Sequence, residues 1–487
     1  MMKRTIAIIC LLSLLASLAA SCGEAVQSDD TADTGESTTI DPNGSQLPEK
    51  DWGGREFRVL AKEHSNTAFR TFEVYAESEN GEVLNDAIYQ RNRAIEERYN
   101  VKIVEERITQ EAAEDNGAIL RQTVLANEST YDLSMNWLVN IGSLAAEGLF
   151  LDLYSVDYVD FDKEWWNADI NSSLTLAGKL FFTSSDFLLH DKARAYIICY
   201  NVELADEYKL GNLVDYVREG TWTLDKMDEI GRNVANDVNQ DGKMDNQDMY
   251  SLMAGAYKDV GMFAAAGNTI AKNDGKGNLE ISMNTERMVN SIDKILKLLD
   301  KSVSAIPNDF SRYTSDHYGY ADAIFCGGQA FYQSSLLLQL QQYSSKCDFP
   351  YKVLPMPKYD ENQEKYLTQS DDISMLFGIP ATAADPDFCG FMLEALSYES
   401  STSTLPIYYE TCVKTKYAYD EESAEMVDLA MSGLITDVGF IYNLGGLRDI
   451  LISNITQERQ NRFASLYAAK EEAAMTAIND LLASFSE

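Results

Sequence analysis

Histidine, proline and cysteine are scarce in this 487-residue chain, at three, nine and seven residues. No Gly-x-Ser-x-Gly, His-Glu-x-x-His or phosphate-cradling Gly-rich loop with Lys occurs, so the commonest hydrolase and nucleotide-binding signatures are missing. With so little Pro and only 28 Gly, a repetitive fibre is excluded. Cys10 and Cys22 lie near the N-terminus, and Cys199, Cys326, Cys347, Cys389 and Cys412 follow at wide spacing, with no Cys-x-x-Cys. An odd set of five at such intervals does not indicate a disulfide framework; these residues read as small buried apolar groups. Positive charge is also short. Forty Lys and Arg face 77 Asp and Glu, for a net charge of −37. A phosphate backbone or an anionic lipid surface would repel such a chain.

What is present is an ordinary globular composition, 45% apolar and 10% aromatic, long enough for two to three domains. The N-terminus has its own pattern. Lys3 and Arg4 precede an apolar stretch from Thr5 to Leu18, followed by Ala19-Ala20-Ser21-Cys22. The stretch falls short of the ~20 residues of a spanning helix and has the layout of a bacterial signal peptide, residues 1–21. Small residues directly before a Cys resemble a lipoprotein cleavage box, which makes Cys22 the expected lipidation site and new N-terminus. Residues 22–50 are rich in Ser, Thr, Asp and Gly and contain no aromatic, so they read as the lipidated Cys and a disordered tether. No later segment is long and apolar enough to cross a membrane. The expected location is the extracellular face of a bacterial cell membrane, by lipid anchor only, or secretion if Cys22 is not acylated.

Past Asp51 the period of the apolar residues changes repeatedly. Glu56–Ala61 alternates as a strand does. Leu84, Ile88, Ile95 and Tyr99 make one helical stripe, and Val101, Ile103 and Glu105 return to a period of two. Strand, helix and strand at this size predict a βαβ unit. A helix over about 108–127 and a short strand at 131–137 follow. Further strands are expected at 193–200, 351–354 and 373–379, and helices after Thr223, over 284–300 and through most of 384–487. The fold class is α/β, in at least two lobes.

Asp237-Val-Asn239-Gln-Asp241-Gly242-Lys243-Met-Asp245-Asn-Gln-Asp248 places side-chain oxygens at loop positions 1, 3, 5, 9 and 12. Gly242 falls at the tight turn, and Lys243 can offer its carbonyl. Hard Ca²⁺ takes six to eight oxygens, and this spacing can wrap them around one point. The expected metal set is therefore Asp237, Asn239, Asp241, Lys243, Asp245 and Asp248, as a structural brace. Asp248 stands where an EF-hand carries Glu, and no regular second helix follows.

Several segments, in order, resemble one family: Trp52–Leu60, Tyr131–Leu133, Leu144–Leu153, Gly178–Phe182, Ile198–Asn201, Gly220–Asp225, the acidic loop, Gly328–Tyr332, Val353–Asp360, Tyr408–Glu410 and Ile441–Asn443. Together they resemble the extracellular solute-binding proteins of ABC importers, in the sugar-binding branch that includes maltose-binding protein. The resemblance implies a two-lobe periplasmic-binding-protein clamshell of type II with a helical C-terminal region. Lobe 1 would hold 51–195 plus about 350–400, and lobe 2 would hold 196–349 plus about 401–487. Hinge crossings are expected at 193–199 and 349–354. It implies a monomeric receptor that closes on an oligosaccharide and delivers it to an ABC permease, without chemistry of its own.

A sugar needs flat aromatics to stack on its C–H faces and carboxylates or amides for its hydroxyls. The expected ligand contacts are Trp137 for stacking, Asn136 and Asn140 beside it, His64 after the first strand, and one of Trp165 and Trp166. Asp186 and His190 before the first crossing, Tyr332 at the return crossing, and Asp371 and Asp372 before a late strand complete the set. Two other readings stay open. A surface glycoside hydrolase could hide its two carboxylates among the 77 acids. A Ca²⁺-dependent adhesion protein could use the acidic loop.

Overall fold

The first strand, β1 (Arg55–Lys62), buries Phe57, Val59, Leu60 and Ala61. It belongs to a computed structural model that describes residues 44–62, 73–109, 115–255, 258–417 and 420–486. The signal-peptide segment, Cys22 and His64 lie outside the described residues. The helix Val83–Tyr99 starts where the Glu82 carboxylate accepts the Asn85 N–H, and it stops at Asn100, whose φ of 48° is left-handed. Its buried stripe of Ile88, Arg91, Asn92, Ile95 and Tyr99 faces inward, with Arg91 and Asn92 donating to the Val74 carbonyl and Tyr99 packed 4.8 Å from Phe391. β2 (Val101–Ile108) then returns parallel to β1, with Arg55 opposite Val101. This is the predicted βαβ unit. The helix Asn116–Leu125 leads to β3 (Leu133–Trp137), parallel to β1 on its other side.

The second sheet begins with β4 (Tyr196–Asn201), buried along its whole length, as the unbroken apolar run Tyr-Ile-Ile-Cys-Tyr requires of a central strand. β5 (Tyr250–Met253) follows, then a hairpin of β6 (Ala271–Asn273) and β7 (Leu279–Ile281) that stands apart. β8 (Ser304–Ala305), β9 (Ala330–Leu336) and β10 (Tyr351–Leu354) complete the sheet, in the order β10-β4-β9-β5-β8. The last strand, β11 (Met375–Gly378), pairs antiparallel with β3, so the first sheet reads β11-β3-β1-β2. The remaining chain is helical, as expected, from Pro386–Thr402 to Phe463–Ser486.

Three boundaries differ from the expectation. The expected first crossing, 193–199, runs into β4, whereas the expected return crossing, 349–354, coincides with β10. β10 is still in the second sheet, with Tyr351 opposite Asn201. The return runs later, through 368–374. There Ala195 bridges Ser370, and the Tyr196 N–H donates to the Gln369 carbonyl at 3.1 Å, so the two crossings lie side by side. The 401–487 segment serves both sheets rather than one lobe. Phe485 packs 4.4 Å from Phe181 in the first half, while Asp420 pairs with Lys352 of β10 in the second sheet at 3.1 Å. Packing against the first half also starts before Asp51. Leu47 is buried, Glu49 pairs with Arg98 at 2.6 Å, and Lys50 sits 3.6 Å over the Trp52 ring. Each boundary depends on contacts with residues far along the chain, such as Arg98 for Glu49, which local composition does not encode.

Cys326 and Cys347 form a disulfide, while Cys199, Cys389 and Cys412 are free and buried. The reading of all five as buried apolar groups therefore holds for three. The pairing depends on two helix ends meeting, which spacing alone does not reveal.

Candidate functional site

Ligands of open α/β sheets lie at the carboxyl ends of the parallel strands. On the first sheet those ends carry Lys62 and Trp137. The Lys62 ammonium sits 4.9 Å from the centre of the half-buried Trp137 ring. Directly after Trp137 the chain turns into the helix Leu138–Ala146, whose first N–H groups are taken by the return crossing. Leu138 donates to the Ser374 carbonyl at 2.6 Å and Val139 to that of Asp372 at 3.2 Å. The segment 371–374 is thereby pinned beside Trp137.

On the second sheet, β5, β8 and β9 end at Met253, Ala305 and Leu336. Beyond them opens a cavity of about 480 Å³, whose lining mixes apolar residues, among them Ala254, Pro307, Ala321, Leu336 and Ile373, with polar side chains. The helix His317–Cys326 gives Tyr318 and Asp322, and its N-cap residue is Asp316; β9 gives Gln333. Gln339 and the helix Leu340–Lys346 add Gln342 and Lys346, and the crossings add Arg194, Asp371 and Asp372. The Cys326–Cys347 disulfide ties the end of one of these helices to the residue that caps the other.

The cavity groups hold one another in place. The Asp322 carboxylate accepts from Gln333 Nε2 and Gln339 Nε2, each at 3.3 Å, and from the Tyr343 hydroxyl at 3.2 Å. Arg194 Nε and Nη2 donate to the two oxygens of Asp371. Burial next to Asp371 pushes the Asp372 carboxyl up to about 6. Gln333 is only 1% exposed and its Oε1 accepts no hydrogen bond; Gln342 Nε2 likewise donates none. Such a wall offers acceptors, amide donors and one exposed ring, Tyr318, to a small polar ligand.

Of the residues expected to line the site, the structure brings Asp371 and Asp372 into the cavity and sets Trp137 beside them. Asn140 is half-buried on the helix after Trp137 and does not line the cavity. Four further groups of expected contacts do not line this cavity. Asn136 is enclosed in the sheet, donating to Ser134 Oγ at 2.9 Å. Trp165 and Trp166 both pack inside the first half, and their indole N–H groups share one carboxylate, Glu394, at 3.1 and 2.8 Å. His190 is buried at the start of the short helix His190–Ala193. Asp186, close by, faces Lys192 at 3.9 Å, with its own carboxyl raised to about 6 by burial. Tyr332 is fully buried, 5.8 Å from Trp222.

The last miss is one residue wide. Successive strand side chains point to opposite faces, so Tyr332 enters the core and Gln333 the cavity. Asp316, Tyr318 and Asp322 went unnoticed because nothing in the sequence says that their helix closes over β5 and β9.

The acidic loop is closed by its own side chains. Asp237 accepts the N–H groups of Gln240 and Gly242 at 2.8 Å, Asn239 that of Asp241, and Asp241 that of Lys243. Asp245 accepts the Gln247 N–H, while buried Asp248 takes those of Val238 and Asp245. A strand, β5, follows rather than a helix. Among the described residues no group of three or more His, Cys, Asp or Glu side chains converges on one point that could hold a metal ion.

No protein-family model matches the sequence, and no curated protein does. Solved structures do. The chain is similar to the ABC substrate-binding protein Lmo0181 from Listeria monocytogenes, solved with cycloalternan. The TM-score is 0.53 at 13% identity, over 89% of this chain and 99% of that one. A cyclo/maltodextrin-binding protein complexed with maltotetraose matches at 0.53 and 15%, over 88% and 97%. UspC of M. tuberculosis matches at 0.53 and 13%, over 86% and 100%. Matching these structures over 86–89% of its own length and 97–100% of theirs, this protein has the α/β clamshell fold of the ABC substrate-binding proteins.

Proposed function

We propose that the protein is a solute receptor that takes an oligosaccharide into the cavity beyond β5, β8 and β9 and presents it to an ABC permease. The cavity is the observation that carries this reading. It lies where the fold places ligands, it is lined by carboxylates, amides and Tyr318, and residues of both crossings reach into it. Closure around a ligand would change those crossings, and the permease would read the change. The receptor would act without turning its ligand over, as a monomer. Two of the similar structures are described as substrate-binding or sugar-binding proteins, and both were solved with oligosaccharides.

Acylation of Cys22 would tether the receptor to the outer face of the membrane. Among the described residues no helix is long and apolar enough to cross it. Calcium is proposed as a brace of the 237–248 loop on the spacing of its oxygens alone, and no step of binding depends on it. Addition of a chelator should lower the melting temperature if the brace is real and leave it unchanged if the loop is held by hydrogen bonds only.

Thermal unfolding of residues 44–487 against mono- and oligosaccharides, peptides and polyamines tests the receptor reading. A ligand at 100 times its Kd stabilises the folded state by about 2.7 kcal/mol. A shift with a saccharide and no product formed is expected. A shift with peptides alone removes the sugar, and release of product replaces the receptor with a hydrolase.

A further inference from the structure

A third stretch of chain joins the two halves, besides the crossings before β4 and at 368–374. The segment 433–437 leaves the helix Glu421–Ser432, where Ser423 Oγ accepts the Val353 N–H of β10 in the second sheet. It enters the helix Val438–Tyr442, whose Tyr442 ring lies against Gly142 in the first half. The three stretches run edge to edge. Thr368 donates to the Gly433 carbonyl at 2.9 Å and Ile435 to that of Thr368 at 2.8 Å, while Ser370 bridges Ala195. Gly433 permits this approach, since a Cβ there would stand 1.9 Å from the Tyr366 carbonyl oxygen.

A second cavity lies at this junction and shares no lining residue with the one beyond the second sheet. It measures about 20 Å³, room for one particle of the size of water. Its polar lining is Asp191, Gln369, Ser370, Ser374, Thr436 and Asp437, and no Lys, Arg or His lines it. The rim at 434–436 is half-buried, which leaves a way in. Ser374 is 0% exposed, and its Oγ has no hydrogen-bond partner. The buried Asp437 carboxylate accepts the backbone N–H groups of Ile270, Ala271, Gly439 and Phe440. Oδ2 takes only that of Ile270, at 2.7 Å, so it keeps room for another partner. Among the described residues no cationic side chain pairs with Asp437. Asp191 has such a partner, the Lys192 ammonium at 3.3 Å. The lining therefore carries one negative charge without a counter-charge.

We propose that this cavity binds one monovalent cation of the size of sodium, held by Ser374 Oγ, the Gln369 amide oxygen and the Asp437 carboxylate. Hard cations take oxygen ligands, and the lining supplies carboxylate, amide and hydroxyl oxygens. Charge selects a monovalent ion, because a divalent one would leave a buried positive excess. Water would satisfy Ser374 but leave the Asp437 charge unbalanced away from bulk solvent. Two of the three crossings supply these ligands, so the bound ion would tie them together.

The test is melting of the protein in sodium, potassium and choline chloride at equal ionic strength. EDTA is present throughout, so that calcium at the acidic loop does not contribute. The midpoint should climb with the logarithm of sodium concentration once the Kd of the site is passed, and stay flat in choline. Ser374→Ala removes a hydroxyl that no other described group uses, so it should melt in choline no lower than the parent. In sodium it should lose the climb. Gln342→Ala, in the other cavity, should keep it. Equal melting in all three salts, a larger climb in potassium, or a sodium response that survives in Ser374→Ala overturns the site. None of these results bears on the receptor reading, which rests on the other cavity.

Discussion

Arg194 and Asp371 form a buried, two-pronged ion pair where the chain leaves the second sheet's neighbour and where it returns. Their side chains are 4% and 8% exposed, and the Asp371 N–H also donates to the Arg194 carbonyl at 3.1 Å. The pair clamps the two crossings to each other and at the same time faces the cavity. Any opening of the fold about these crossings must carry the pair along as one body or break it.

Removal of one partner is therefore expected to be severe. Asp371→Asn leaves a buried guanidinium without its counter-charge, which typically destabilises by about 3–5 kcal/mol. Replacing both, as Arg194→Met with Asp371→Leu, should recover most of that loss. Urea unfolding of the single and double variants checks the order; a single variant as stable as the double would refute the clamp.

The disulfide should matter to stability and to binding together. Cys326 and Cys347 are 21 residues apart, and closing a loop of that size stabilises by about 3 kcal/mol in the chain-entropy picture. Cys347→Ser should lower the melting temperature. It should also weaken ligand binding, because both tied helices wall the cavity. Melting curves with and without a thiol reductant, paired with titration of the first ligand found, separate the two effects.

Asp372 predicts a pH dependence. Burial lifts its carboxyl from the usual 3.8 to about 6, so the folded state holds its proton more tightly than the unfolded one. Stability from this group is then full below pH ~4 and is lost as pH rises through about 6. Asp372→Asn should accordingly raise the melting temperature at pH 7 and make little difference at pH 4. Equal shifts at both pH values would show that the carboxyl is not buried as described.

Glu394 organises two indoles at once. Glu394→Ala strands the N–H groups of Trp165 and Trp166 in the core, at about 1–3 kcal/mol each. The loss should appear in chemical unfolding together with a changed tryptophan emission. An unchanged spectrum would place at least one of these rings at the surface, where the ligand-contact expectation had it.

The α/β class and most element positions were legible because strand and helix periods are local properties. Phe57, Val59 and the 101–105 alternation need only their neighbours to declare a strand, and Thr223 declares the helix Leu224–Arg232 by accepting the Lys226 N–H. The buried strand β4 was readable from the unbroken apolar run at 193–200, whereas its place at a crossing was only implied by the family resemblance. Asp371 and Asp372 were readable as polar residues held just ahead of one.

The cavity itself was not. Tyr332 and Gln333 differ by one position, and only the pairing of β9 between β4 and β5 decides which of them lines the cavity. Trp165 and Trp166 look like sugar platforms until Glu394, more than two hundred residues later, takes both of their N–H groups. Cys326 meets Cys347, and Arg194 meets Asp371, for the same reason. Local periodicity sets where strands and helices form, through backbone geometry and the burial of one face. Which faces meet is decided by long-range packing, and a binding site consists of such meetings.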